Sequence, residues 1–202
     1  MNYWLALGMA VLGYLIGSIP FALIIGKLFY HKDIRDYGSH NLGGTNAGRV
    51  LGPKIGVLTI ALDILKCTIP MVIVELTLGY NYALIMGVLI PFGHCWPFFA
   101  EFKGGKAVAS SIGFILGSLL LKPYELMFVL FVPLIIMLII VKTTKYVSLG
   151  SLVMYGCSFI ISLFFNNYYL SIAYLILWIL IIYRHRENIK RLLNHTENKI
   201  TW

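Results

Sequence analysis

Seven long apolar runs are the feature that most limits how this 202-residue chain can fold. Each run approaches the roughly 20 residues that an α-helix needs to cross a bilayer. Because only 12% of the residues are charged, a water-soluble globule is excluded. The sequence therefore predicts an all-α, polytopic membrane protein with seven transmembrane helices, forming a single domain over residues 1–202. The runs cover residues 3–26, 55–78, 80–99, 107–121, 124–141, 146–165 and 168–183.

The cations between the runs predict the orientation. Of sixteen Lys and Arg residues, fourteen follow the first, third, fifth and seventh runs, in groups of five, two, two and five. The segments after the other runs hold only Lys122. The positive-inside rule then places the N-terminus outside, the C-terminus in the cytoplasm and every polar cluster on the cytoplasmic side. Since this rule accounts for the net charge of +8, we predict no nucleic-acid partner.

The first polar cluster, residues 38–49, reads Gly-Ser-His-Asn-Leu-Gly-Gly-Thr-Asn-Ala-Gly-Arg. Its four glycines allow a tight backbone whose N–H groups can approach a ligand closely. Short hydrogen-bonding side chains and the forked cation of Arg49 complete a set that suits a phosphate monoester. The alternative is a polar turn between two membrane helices. The short polar side chains are Ser39, Asn41, Thr45 and Asn46.

Two further clusters carry similar chemistry. Lys103-Gly104-Gly105-Lys106 precedes a helix and has the composition of an anion nest beside a point charge, although a plain basic loop is the alternative. At the end of the last run, a continuing helix would place His185 and Asn188 on one face. There the imidazole could bind a substrate hydroxyl or act as a base, the alternative being a basic helix end at the membrane surface.

A few residues inside the apolar runs are unusual. Asp63 and Lys66 are three positions apart within the second run, where ionisable side chains are costly and usually pair. We expect them to form a buried pair that supports the site, with direct substrate contact as the alternative. His94 is expected to form hydrogen bonds with loop carbonyls beside residues 103–106, which we call the lysine loop. Gly13 and Gly17 predict close helix packing in the first run.

The three polar clusters, in this order, resemble the motifs of the bacterial acyl-phosphate:glycerol-3-phosphate acyltransferases. Residues 38–49 are similar to the family pattern Gly-Ser-Gly-Asn-Ile-Gly-Ala-Thr-Asn-x-x-Arg. Residues 93–97 and 102–109 resemble a second motif, which ends in Phe-Lys-Gly-Gly-Lys-Gly-Val-Ala, and residues 184–193 resemble the third. The resemblance runs the length of the chain.

The resemblance implies an integral enzyme of the bacterial plasma membrane with its active site facing the cytoplasm. It would transfer a fatty acyl group from acyl phosphate to the 1-hydroxyl of glycerol 3-phosphate, giving lysophosphatidic acid and phosphate, the first step of phospholipid synthesis. A functional link to the soluble enzyme that makes acyl phosphate follows. No cofactor or metal is implied. The implied catalytic residues are Ser39, Thr45, Arg49, Lys106, His185 and Asn188. The implied substrate-binding residues are Asn41, Gly43, Asn46, His94, Lys103, Gly104 and Gly105.

The chain departs from the family pattern at four positions. His40, Ala107 and His195 stand where the family has glycine, and Gly44 stands where it has alanine. If His40 needs a positive φ, histidine tolerates it better than a β-branched residue would. We expect Ala107 to begin its helix one residue early. The polar and charged positions of the motifs are intact.

Two other functions compete with this one. A transporter for phosphate or a phosphorylated metabolite would need charges and broken helices near the membrane midplane. A metal-dependent lipid phosphotransferase would need clustered acidic ligands, whereas the eight Asp and Glu residues are scattered singly. Direct acyl transfer between two phosphate-bearing substrates needs mainly cations that hold both anions. The proton of the attacking hydroxyl could pass to His185 or to a substrate phosphate.

Overall fold

The chain folds into helices joined by short segments. The structure, a computed structural model, describes residues 1–120, 123–165 and 167–200, without the side chains of Pro123 and Leu126. These residues contain no strand, which confirms the all-α prediction. The helices are α1 Tyr3–Gly17, α2 Phe21–Tyr30, α3 Gly44–Leu51, α4 Pro53–Leu78, α5 Tyr80–Cys95, α6 Val108–Leu119, α7 Pro123–Leu126, α8 Val132–Thr144, α9 Val147–Ser162, α10 Tyr168–Arg184 and α11 Arg186–Leu193. Ile34–Asp36, Phe98–Ala100 and Leu163–Phe165 are short 3₁₀ helices, and Met127–Phe131 is π-helical.

Several of these helices are membrane spans by length and composition. Within the described ranges, five helical segments are long and apolar enough to cross a bilayer, and α10 with α11, bent by 61°, would make a sixth. The apolar helix α6 has only 12 residues, so the seventh span stays a prediction. The five segments are Tyr3–Tyr30, Pro53–Leu78, Tyr80–Ala100, Met127–Thr144 and Val147–Phe165.

The chain forms two compact units, residues 1–118 and residues 119–201. In the first unit, α1 lies along α5 at a separation that only glycine permits. A Cβ at Gly13 would come within 3.1 Å of the Met86 Cα, and one at Gly17 within 2.9 Å of the Ile90 Cα. The close packing predicted for the two glycines is therefore confirmed. The prediction of a single domain stays a prediction.

Part of the first polar cluster is helical rather than a turn, because α3 packs tightly on α4. A Cβ at Gly56 would lie 2.7 Å from the Gly48 Cα, and one at Gly44 would lie 2.8 Å from the Gly56 carbonyl oxygen. Two of the cluster's four glycines thus serve helix packing, a role that the sequence analysis did not predict for them. The cluster is anchored by a small apolar core of Ala22, Leu23, Ile34, Leu42, Ala47 and Ala100.

In the second unit, α9 packs between α8 and α10. A Cβ at Gly150 would approach the Met137 side chain to 3.1 Å, and one at Gly156 would approach the Trp178 ring to 2.9 Å. The C-terminal segment is tied to the end of α8 by a hydrogen bond from the Ile200 N–H to the Lys145 carbonyl, at 2.9 Å. These contacts place α11 and the residues after it beside the start of α9.

Candidate functional site

The first polar cluster is shaped by one buried amide. Asn46 is 1% exposed, and its side chain makes four hydrogen bonds. The two hydrogens of its Nδ2 are shared among three backbone carbonyls before and within the cluster, and its Oδ1 accepts from the backbone at 2.8 Å. Because the amide uses its donors and its acceptor on the backbone of the loop, it fixes the path of the loop. The three acceptors are the carbonyls of Ile34, Tyr37 and Asn41, at 3.0, 3.2 and 3.0 Å, and the donor is the Ser39 N–H.

This loop leaves three of the candidate side chains without a hydrogen-bond or ion-pair partner among the described residues. The side chains of Ser39, Thr45 and Arg49 are half-buried and make no hydrogen bond or ion pair with any residue that the structure describes. Thr45 and Arg49 lie four positions apart on α3 and so share a face. A half-buried guanidinium with a hydroxyl on the same helix face and no described carboxylate beside it suits an anion. The Gly43 N–H is used within the loop, since it donates to the Asn41 Oδ1 at 2.9 Å.

Arg35, which the sequence analysis did not single out, connects the first cluster to the second. Its guanidinium lies 2.8 Å from the Asp33 carboxylate and donates to the Ala100 carbonyl at 3.3 Å. Hydrogen bonds from Arg35 lower the pKa of Asp33 to about 2. The Arg35 carbonyl lies 2.8 Å from the His40 Nδ1. The spacing of Asp33 and Arg35, two residues apart, is the signal that was available in the sequence.

The lysine loop is folded against His94. The Gly105 N–H donates to the His94 carbonyl at 2.9 Å, so this amide takes no part in an anion nest. A Cβ on Gly105 would collide with the His94 ring, and one on Gly104 would collide with the His94 carbonyl. The two glycines are therefore required by close packing. Lys106 is half-buried, whereas the Lys103 side chain is 72% exposed and lies 3.6 Å from the Glu101 carboxylate.

The expected pair of Asp63 and Lys66 forms inside the membrane-spanning helix α4. The Lys66 Nζ lies 2.7 Å from the Asp63 Oδ1, and both side chains are 2% exposed. His94 joins the pair, with its Nδ1 3.0 Å from the Lys66 Nζ. A narrow cleft lined by Asp63, His94 and Leu42 runs between this group and the first cluster. The structure thus adds His94 to the expected pair, and the role of the pair in supporting the site stays a prediction.

The third cluster contains a helix break, so the continuous helix that would place His185 and Asn188 on one face does not form. α10 ends at Arg184 and α11 begins at Arg186, with a bend of 61° between them. His185 lies at the break and is 3% exposed. Its Nδ1 is 2.8 Å from the Ile181 carbonyl, which can only accept, so Nδ1 carries the hydrogen. In the neutral ring, Nε2 is then the acceptor.

Asn188 belongs to a hydrogen-bond network around Glu197, which the sequence analysis missed. The Glu197 carboxylate accepts from the Asn188 Nδ2 at 2.6 Å, the Ser148 Oγ at 2.8 Å and the Arg191 Nε at 2.9 Å. Burial raises the pKa of Glu197, but these donors outweigh it and hold the pKa below its ordinary value. The network fixes Asn188, which is 6% exposed, relative to α9. A lone acid that follows a basic helix was the only signal in the sequence.

Three of the four departures from the family pattern share one backbone conformation. His40, Ala107 and His195 all have left-handed backbones, with φ of 53°, 63° and 55°. Ala107 does not begin a helix, since α6 starts at Val108, and that expectation is wrong. A left-handed backbone is unfavourable for residues other than glycine, so the surrounding fold imposes this conformation. At Gly44, a Cβ would meet Ile60, which explains the glycine there.

Sequence comparison relates the chain to one enzyme family. A family model described as "Glycerol-3-phosphate acyltransferase" matches residues 7–195. The glycerol-3-phosphate acyltransferase of Listeria monocytogenes serotype 4a (strain HCC23) is 44% identical over 197 residues, which cover 96% of both chains. The glycerol-3-phosphate acyltransferase of Bacillus subtilis (strain 168) is 46% identical over 192 residues, which cover 95% of this chain and 96% of that one.

Two solved structures have a similar fold. PlsY, described as an integral membrane glycerol 3-phosphate acyltransferase, in its glycerol 3-phosphate form has a TM-score of 0.85 and 37% identity. That match covers 97% of this chain and 96% of the other. The lysophosphatidic acid form of PlsY has a TM-score of 0.82 and 36% identity, covering 96% and 94%.

The left-handed backbone at His195 yields a stability prediction. We expect His195→Gly to raise the free energy of unfolding by about 1 kcal/mol, because glycine removes the steric cost of this conformation. His195 is exposed and makes no side-chain hydrogen bond with the described residues, so little is lost. The measurement is a denaturant titration in detergent. As the matched control, Asn194→Gly, where φ is −92°, should lower stability by about 0.5–1 kcal/mol. Equal effects at the two positions would contradict the prediction.

Proposed function

Because this chain belongs to the glycerol-3-phosphate acyltransferase family, we propose that it transfers a fatty acyl group from acyl phosphate to the 1-hydroxyl of glycerol 3-phosphate. The family identifies it as an integral membrane acyltransferase that converts glycerol 3-phosphate to lysophosphatidic acid. The acyl phosphate donor is our proposal. It is supported by the two cationic segments around Arg49 and Lys106, because both substrates would then present a phosphate.

Arg49 is the observation that carries the proposal. It is a half-buried cation on a short helix, and the described part of the chain offers it no carboxylate. A charge that is partly removed from water needs a counter-charge, and a substrate phosphate would supply it. Ser39 and Thr45 would add hydroxyl donors to the same anion. Asn41, Gly43 and Asn46 would contribute by holding the loop in this shape.

The proposed reaction is a direct acyl transfer. The 1-hydroxyl oxygen attacks the carbonyl carbon of the mixed anhydride, a new ester bond forms, and the bond from that carbon to the phosphate oxygen breaks. The phosphate leaves with the electron pair. The cations of Arg49 and Lys106 would hold the phosphates and stabilise the developing negative charge. No acyl-enzyme is needed.

The hydroxyl proton has two candidate acceptors, the His185 Nε2 and an oxygen of a substrate phosphate. The hydrogen bond from the His185 Nδ1 to Ile181 directs the Nε2 lone pair away from the helix backbone. This geometry suits an acceptor for the 2-hydroxyl of glycerol 3-phosphate, which would orient the substrate and leave the hydrogen of the attacking 1-hydroxyl for the phosphate. We assign the proton to the phosphate, since that group is present wherever the substrates react, and we assign orientation to His185 and Asn188.

The proposed site lies at the cytoplasmic face of a bacterial plasma membrane, in a chain with seven spans and an external N-terminus. The distribution of cations supports this orientation. A water-soluble enzyme that makes acyl phosphate could then deliver the donor from the cytoplasm. The direct test of the reaction is purified protein with acyl phosphate and glycerol 3-phosphate, assayed for lysophosphatidic acid with and without a chelator. Product that forms only with another donor would reject acyl phosphate.

Substitution of the two cations tests their roles. We expect Arg49→Lys to lower kcat/KM on the order of 100-fold, because a point charge does not reproduce a forked contact. Lys106→Ala should lower it on the order of 1000-fold, since a phosphate would lose a charged partner. Lys54→Ala, which removes an exposed cation outside the site, is the control and should stay within about twofold. Near-normal kinetics of folded Arg49→Lys protein would mean that Arg49 contributes only to the orientation of the chain in the membrane.

Cysteine labelling tests the orientation. Introduced cysteines at Asp36, Lys103 and Asn194 should react with an impermeant maleimide only from the cytoplasmic side, because their segments carry the cations. A cysteine at Tyr168 should react only from outside. The protein without introduced cysteines gives the background from Cys67, Cys95 and Cys157. External labelling at any of the first three positions would overturn the arrangement.

The pH profile identifies the base. If a substrate phosphate takes the proton, the acidic limb of kcat/KM should persist in His185→Ala near a pKa of about 6. If the imidazole takes it, the limb near about 6.5 should vanish in that variant. The two values lie too close for the wild-type profile to separate them, so the variant is needed. We expect persistence. A flat acidic side in folded, substrate-binding His185→Ala protein would assign the base to His185.

A further inference from the structure

Three ionisable side chains are buried together inside the first unit. Asp63 is 2% exposed, and Lys66 and His94 are 7% exposed. They lie on helices α4 and α5, both of which belong to membrane-spanning segments. Charged groups at such positions are costly, and the fold retains them only where they have partners. The proposed reaction uses none of the three directly.

The Lys66 ammonium has three partners within the protein, one in an ion pair and two in hydrogen bonds. It has three hydrogens to donate, and three acceptors surround it. The Asp63 Oδ1 lies at 2.7 Å, the His94 Nδ1 at 3.0 Å and the Ile19 carbonyl at 3.1 Å. Because an ammonium can only donate, the His94 Nδ1 must accept, and the ring is neutral with its hydrogen on Nε2. Lys66 therefore fixes both the tautomer and the orientation of the imidazole.

The oriented imidazole is the surface against which the lysine loop lies. Gly105 faces the ring edge so closely that a Cβ would come within 2.8 Å of both the Cδ2 and the Cε1 of His94. The Gly105 N–H also donates to the His94 carbonyl at 2.9 Å. Lys106 is the next residue. A rotation of the ring would thus displace the loop immediately before this lysine.

Charge neutralisation alone does not explain the arrangement. Asp63 and Lys66 neutralise each other at 2.7 Å without any help from a neutral histidine. The contact from Lys66 to His94 adds no charge, but it determines where the ring stands. In metal sites and catalytic triads, a partner of the second ring nitrogen sets the orientation of the first in the same way.

We propose that Asp63, Lys66 and His94 form a positioning triad that sets the place of the Lys106 ammonium through the Gly104–Gly105 backbone. The inference rests on the proposed role of Lys106 in holding a phosphate. The triad residues do not contact the substrate. They act on the KM of the one substrate whose phosphate Lys106 holds, and not on the substrate held at Arg49.

The experiment compares KM values for both substrates in folded variants. Lys106→Arg, which keeps a cation but displaces it, first identifies the dependent substrate as the one whose KM rises. The double variant Asp63→Asn/Lys66→Met removes both buried charges together, which proteins often tolerate, and deprives His94 of its donor. We expect its KM for the dependent substrate to rise on the order of tenfold, with the other KM unchanged. When the double variant is combined with Lys106→Arg, the KM for the dependent substrate should be little higher than in Lys106→Arg alone.

The control is Thr59→Val, which removes a buried hydroxyl from the same helix without touching His94. It should leave both KM values unchanged. A KM for the dependent substrate within about twofold of wild type in the folded double variant would overturn the triad. So would a rise in this KM that is additive with the effect of Lys106→Arg. Normal kinetics of Lys106→Arg and Lys106→Ala would instead remove the lysine from the proposed function, and the triad with it.

A second pair of variants keeps the test valid if the double variant does not fold. His94→Asn preserves an acceptor for Lys66 but removes the ring edge, so the dependent KM should rise as before. Gly105→Ala alone should raise it too, since its Cβ collides with the ring. In the combination His94→Asn/Gly105→Ala the methyl group occupies the vacated space, and we expect the KM to fall below that of Gly105→Ala. Additive losses would reject positioning through this contact.

Discussion

The polar part of the first unit depends on one buried ammonium, which makes one ion pair and two hydrogen bonds. The Lys66 Nζ reaches an acid on its own helix, a histidine on α5 and the carbonyl of Ile19 at the break between α1 and α2. Pro20 follows that carbonyl and interrupts the first span. In a membrane, a carbonyl released from its helix needs another donor. Lys66 supplies it, so the break, the ion pair and the lysine loop are held by one group.

Glycines make this arrangement possible by bringing backbones close together. Gly17 meets α5 opposite Ile90, and Gly56 meets α3 opposite Gly48. Helix association in a bilayer gains little from apolar burial, because lipid is as apolar as the side chains, and close van der Waals contact becomes decisive. The glycine-rich character of the first polar cluster therefore has two causes. Gly44 and Gly48 serve packing, whereas Gly38, with φ of 63°, serves the turn.

The sequence predicted the features whose physical causes are local. Apolar runs of membrane length predicted the helices, and the spacing of Asp63 and Lys66 predicted their pair. Helix α3 was missed, since its glycine content argues against a helix and its stability comes from packing on α4. The break at His185 and the network of Glu197 were missed for a related reason. Both depend on tertiary hydrogen bonds, which leave no periodic pattern in the chain.

Three acids of this basic chain pair with cations that have structural roles, whereas Arg49 has no such partner among the described residues. Asp33 pairs with Arg35, and Asp63 pairs with Lys66. In the second unit, Glu197 binds Arg191. Each of these pairs immobilises a cation that holds a loop or a helix end. Arg49 lies on α3, whose neighbouring positions are filled by glycines and short polar residues, and no described carboxylate reaches it. The cations of the chain thus include a structural group, which acids of the protein neutralise, and others, among them Arg49, that no described carboxylate neutralises. For Arg49, the proposed substrate phosphate would supply the counter-charge.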